Sequence, residues 1–259
     1  MEGPSATIAV VLAETAAGAV ALLWLGRLWG DVRRGFFLLT SFAALGCALL
    51  ATLAASAAST LPVEPAARLA VILLVGTSVV LGLSVCALLL RFDAAGRALG
   101  VLAIPAGVAS LVALARVAPS FLAALAQILA GALFLGAVTV GLLLGHWYLT
   151  DRRLSREHIS RFAVVLLVAV GVEAVALAAL GFGGDRAEAG EFSVILGVSG
   201  LVTWLALGMV ACTALVGFLI RASLRGQSSR AVQGATGFFY LAVITAFTAE
   251  MAAKVGFLG

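Results

Sequence analysis

Three carboxylates stand inside otherwise apolar runs of this chain: Glu14, Glu173 and Glu250. Each ionisable group placed in a membrane-length apolar segment costs roughly 2.5–3.5 kcal/mol on insertion scales, so such residues have a partner or a purpose. A carboxyl held out of water can accept and donate protons, and three of them together point to proton transfer. Arg68 and Arg116 lie near the ends of neighbouring apolar runs, and Lys254 stands one turn beyond Glu250. The expectation is one polar site shared by the three acids, with Arg116 as its counter-ion. The structural alternative is that the carboxylates pair with Arg68, Arg116, Thr15, Thr248 or one another and pin helices together without turnover.

A second group surrounds His146, which follows an apolar run beside Trp147 and Tyr148. With Trp24 and Trp29 these aromatics have the composition of an interfacial belt, in which the ring bodies are apolar and the tips wet. His146 is then either part of an anchor, or a proton-relay group or a donor to a quinone or a lipid headgroup. His158 is the only other histidine and lies beyond the same break. Two facing helices therefore do not supply the pair that a b-type haem needs. Secondary candidates are Gln233 and Tyr240, on a segment opened by Gly234 and Gly237, and Trp204 near the middle of another run. Helix packing through small and hydrogen-bonding residues is the first reading of the Gln233–Tyr240 segment, the alternative being the wall of a ligand crevice, and Trp204 fits either. No metal-ligand cluster, nucleotide loop or nucleophile elbow occurs in the sequence. Cys47, Cys86 and Cys212 have no CxxC spacing and are read as small core residues.

The elements that must position these residues are set by composition. The chain is 63% hydrophobic and 11% charged, with a mean hydropathy of +1.20, which excludes a water-soluble globule. A spanning helix needs about 20 apolar residues. Such runs recur at about 6–25, 36–57, 68–90, 98–116, 120–144, 159–181, 192–220 and 231–255. The fold class is therefore all-α: an integral membrane protein with eight transmembrane helices. Met1 to Ser5 lacks a basic leader region, so the first run is read as a retained helix rather than a signal peptide. Pro105 implies a kink in the fourth helix, and the length of the seventh implies tilt. On the helical rise of about 1.5 Å per residue, Glu14 and Glu173 lie ~12 Å and Glu250 ~8 Å below one membrane face.

Assigning alternate loops to one side leaves only Arg68, Arg116, Arg186 and Lys254 opposite the other twelve of the sixteen lysines and arginines. The richer side is cytoplasmic by the positive-inside rule, which places both termini outside. The same pattern excludes nucleic acid as a partner, because the positive charge falls in short loops; the partner is the lipid bilayer.

The two halves of the chain are similar. Gly18-Ala19-Val20 leads to Gly26-Arg27-Leu28-Trp29 and a basic turn, as Gly136-Ala137-Val138 leads to Gly145-His146-Trp147-Tyr148 and another. A duplicated four-helix unit keeps its orientation, giving two parallel bundles related by an axis along the membrane normal, residues 1–118 and 119–259.

The run from Glu14 to Leu23, followed by Asp31-Val32-Arg33-Arg34, resembles the NrfD-type, quinol-interacting membrane subunits of polysulfide- and dimethyl-sulfoxide-reductase-like complexes. Segments 145–149 and 233–237 are similar to bacterial multi-pass membrane proteins without an assigned activity. The NrfD resemblance implies an electron-transfer complex, a quinone bound near one face, no intrinsic cofactor, and a separate iron–sulfur or cytochrome subunit. A transporter or proton-conducting protein and a structural scaffold subunit are the two other readings.

Overall fold

A computed structural model of the chain describes residues 3–26, 28, 31–59, 64–151, 154–180, 201–226, 229–255 and 257. The described residues form eight helices: α1 (Gly3–Leu25), α2 (Arg34–Ala58), α3 (Pro65–Leu89), α4 (Asp93–Ala115), α5 (Phe121–Thr150), α6 (Glu157–Leu180), α7 (Leu201–Leu224) and α8 (Ser229–Ala253). All eight are long and apolar enough to span a bilayer, where every backbone N–H and C=O must be satisfied within the segment. The protein is an integral membrane protein. The acidic stretch 183–191, the start expected for the seventh helix at 192, and Trp29 lie outside the described residues.

Several helix ends differ from expectation for local reasons. The fourth helix begins at Asp93, whose carboxylate suits a first helical turn. The fifth runs on through Gly145, His146, Trp147 and Tyr148 to Thr150, because no breaker precedes Asp151. Gly145 within it is a packing residue: a Cβ there would lie 2.8 Å from the Thr236 hydroxyl of α8.

Packing follows the membrane pattern, with small residues inside and bulky ones outside. On α2 the alanines 44, 48, 51 and 55 are buried, while Leu49, Leu50 and Leu53 face outward. Lipid tails are as apolar as leucine, so close backbone approach and interhelical hydrogen bonds hold the helices together. Helices α1 to α4 pack in a closed ring, α5 to α8 pack in another, and the rings meet chiefly along α1 and α5. These two helices are the central pair, 67% and 72% buried along their spans against 39–44% for the others.

The rings also repeat polar contacts. The hydroxyls of Thr77 and Ser110 pair at 2.9 Å between α3 and α4, and Thr213 donates to Thr245 at 2.8 Å between α7 and α8. Nearer the opposite membrane face, Ser84 donates to the Gly96 carbonyl at 2.8 Å and Ser223 to that of Ala231 at 2.9 Å.

Candidate functional site

The central pair approaches so closely because glycines meet. A Cβ on Gly18 would lie 1.8 Å from the Ala132 carbonyl oxygen, and one on Gly136 2.4 Å from the Gly18 carbonyl carbon. Glu14 stands one turn before Gly18 on the same face of α1, so its carboxyl is driven into the α5 surface. Gly131 receives it there: a Cβ at that position would come within 2.9–3.0 Å of the Glu14 carboxyl atoms.

Lys254 follows the last residue of α8, its N–H donating to the Glu250 carbonyl at 3.0 Å so that the helical path continues for one more residue. Thr7 of α1 donates to the Lys254 carbonyl at 3.0 Å and ties this end of α8 to α1. Helical side chains lean toward their own N-terminus. Because α1 and α8 are antiparallel, Glu14 leans toward the membrane face where α1 begins and Lys254 leans inward from that face. The two converge, with Nζ of Lys254 3.2 Å from Oε1 of Glu14 and 3.3 Å from Oε2 of Glu250. Nζ also donates to the Gln127 main-chain carbonyl on α5 at 3.2 Å and lies 4.9 Å from the centroid of the Phe257 ring. The carboxylate contacts are ion pairs by distance but lack the alignment of hydrogen bonds.

Glu173 enters from α6, fully buried, with its carboxyl beside that of Glu250. Neither Glu173 oxygen accepts a hydrogen bond from a protein N–H or hydroxyl group. Four helices and the residue after α8 thus bring three carboxyls and one ammonium together, all at 0–1% exposure. One ammonium balances one carboxylate. Two of the three carboxyls are therefore left without a counter-ion of their own in the cluster, and an uncompensated charge in a spanning segment costs roughly 2.5–3.5 kcal/mol. Such a group can hold, share and release protons.

The structure brings Glu14, Glu173 and Glu250 together and gives them Lys254 rather than Arg116 as counter-ion. Arg116 ends α4, exposed, with its guanidinium 5.9 Å from the centroid of the Phe121 ring. Glu14 lies deeper than expected, at the middle of α1, because that helix begins at Gly3. His146 is exposed on the last turns of α5. Gln233, Tyr240 and Trp204 are exposed too. Cys86 and Cys212 face outward and Cys47 is half-buried, which corrects their reading as core residues.

Two of the expected belt aromatics are wedges between helices. Trp24 covers Gly100 of α4 and packs on Phe37, and Trp147 covers Gly35 and packs on Phe36. Gln127 and Gly131 were invisible as site residues, since one meets Lys254 through its main-chain carbonyl and the other acts by its lack of a side chain. At the opposite membrane face His158 is buried, its Nε2 3.7 Å from Asp31, and Arg33 pairs with Asp151 at 2.9 Å, so the loops after α1 and α5 are cross-linked. Among the described residues no group of three or more His, Cys, Asp or Glu could hold a metal. No family model matches the chain, and no curated protein or solved structure matches it either.

Proposed function

We propose that this protein is a proton-coupled integral membrane subunit in which Glu14, Glu173, Glu250 and Lys254 hold and exchange protons in the half of the membrane where α1 begins and α8 ends. The observation that supports this reading is the excess of acid: three buried carboxyls share a single ammonium. A purely structural clamp needs one carboxylate for one lysine, and the additional acids add insertion cost without adding a pair. In the setting implied by the NrfD resemblance, the chain belongs to a bacterial respiratory or electron-transfer complex. A quinol supplies the protons, an iron–sulfur or cytochrome subunit takes the electrons, and the protons leave on the outer side, where both termini lie.

Infrared spectroscopy of the purified protein in lipid nanodiscs tests the proton reading. The expected result is a protonated-carboxyl C=O band that shifts promptly in D2O, while the amide protons of the buried helices stay protected. Glu173→Gln should remove part of that band and leave the fold intact. A cluster with no protonated carboxyl, or with one that exchanges no faster than the helical amides, is a static clamp and sinks the proposal. Solvent extraction of the complex isolated from native membranes tests the redox setting separately. If neither quinone nor a redox subunit copurifies, that setting falls and the proton reading is judged by the infrared result alone.

A further inference from the structure

The membrane face opposite the acid cluster carries a feature that proton exchange does not use. Between the start of α6 and the end of α7 lies an open cavity of about 330 Å³ lined by Arg156, Glu157, Ser160, Arg161, Val164 and Leu224. Positions 157, 160, 161 and 164 are spaced i, i+3, i+4, i+7, which puts them on one face of α6. That face is graded with depth: charge and hydroxyl come in the first turns, and Val164 lies roughly 10 Å inward of residue 157 on the helical rise.

Arg156 is half-buried and donates from Nη1 to the Gly226 carbonyl at 3.2 Å, a contact that fixes the guanidinium without neutralising it. Arg161 pairs with Glu157 on the helix surface, where such a pair is weak and occupies only part of the five-donor guanidinium. Arg221 and Arg225 stand exposed within a turn of Leu224. The surroundings are therefore strongly positive, and Val164 and Leu224 give the lining an apolar part.

We propose that this cavity binds the headgroup of an anionic phospholipid. Arg156 and Arg161 take the phosphodiester, the Ser160 hydroxyl donates to it, and Val164 and Leu224 receive the first methylenes of an acyl chain. Basic pockets between membrane helices at the headgroup level have this recognition chemistry. A free phosphate would satisfy the arginines but makes no use of Val164 and Leu224. A zwitterionic headgroup would bring its own cation against Arg221 and Arg225.

The test is native mass spectrometry of the full chain released from nanodiscs of mixed phosphatidylglycerol and phosphatidylcholine. Phosphatidylglycerol should be retained preferentially. The double variant Arg156→Gln/Arg161→Gln should bind it about 25-fold more weakly, at about fivefold for each arginine removed. Val164→Trp, which fills the apolar half and keeps both charges, should also expel it; should the arginine variant not fold, this one decides. Arg91→Gln, exposed on the same membrane side but outside the cavity, is the control. Equal weakening by Arg91→Gln reduces the effect to general surface charge and overturns the site. Competition by glycerophosphate as effective as by the lipid overturns the lipid assignment, and so does equal retention of phosphatidylcholine.

Discussion

Lys254 lies 3.2 Å from Glu14, so the end of the last helix is bound by charge to the midpoint of the first. Both side chains are fully buried, and 240 positions of sequence are closed by this one pair. Removing one partner of a buried pair leaves the other charge uncompensated and costs about 3–5 kcal/mol. Lys254→Met should therefore lower the unfolding temperature sharply and broaden the gel-filtration peak in detergent. Lys254→Met combined with Glu14→Gln should recover part of the loss, because the orphaned charge goes with its partner. A Lys254→Met protein as stable as the wild type would show that the ammonium balances nothing.

The contact of Gly18 with Gly136 makes an opposite pair of expectations for glycine replacement. Gly136→Val places new atoms against the α1 backbone, and overpacking of this kind costs at least about 1–3 kcal/mol. Gly171, on α6, has open space where its Cβ would be. There Gly171→Ala should be neutral or stabilising by up to about 1 kcal/mol, the helix-propensity difference. Thermal unfolding in a common detergent distinguishes the two; similar effects would mean that α1 and α5 are not in backbone contact.

The arginine asymmetry predicts sidedness. Lys254 is withdrawn into the core and is not a loop charge, so the contrast between the exposed ends of the helices is sharper than residue counting implies. In a background lacking Cys47, Cys86 and Cys212, a cysteine at Ser59 should react with a membrane-impermeant maleimide added outside intact cells, and one at Arg91 should react only after lysis. The reverse pattern inverts the topology.

The repeated ring of contacts motivates a test of the two-unit organisation. Residues 1–118 and 119–259, coexpressed as separate chains, should reassemble and copurify, since each ring closes on itself and the α1–α5 seam joins them. Recovery of only one fragment in the membrane would mean that the units do not form independently.

The sequence by itself determined the class of molecule and where its helices lie. In a bilayer an unpaired backbone group is so costly that an apolar run of spanning length has one outcome, and the polar breaks between runs set the turns. It also singled out Glu14, Glu173 and Glu250, because an acid in an apolar run is conspicuous whatever surrounds it. Only the tertiary structure decided their company. A counter-ion is selected by distance across helices, and Lys254 displaced Arg116 because antiparallel α1 and α8 lean their side chains toward each other at one depth, while Arg116 ends α4 beside Phe121. The outward faces of Gln233, Tyr240 and Trp204 were hidden for a related reason: a spanning helix is apolar on its lipid-facing side as well as on its packed side, so hydropathy carries no record of which side each residue takes. Gly131 acts by leaving room for the Glu14 carboxyl and Gln127 meets Lys254 through its carbonyl, and a one-dimensional pattern of side chains does not register either.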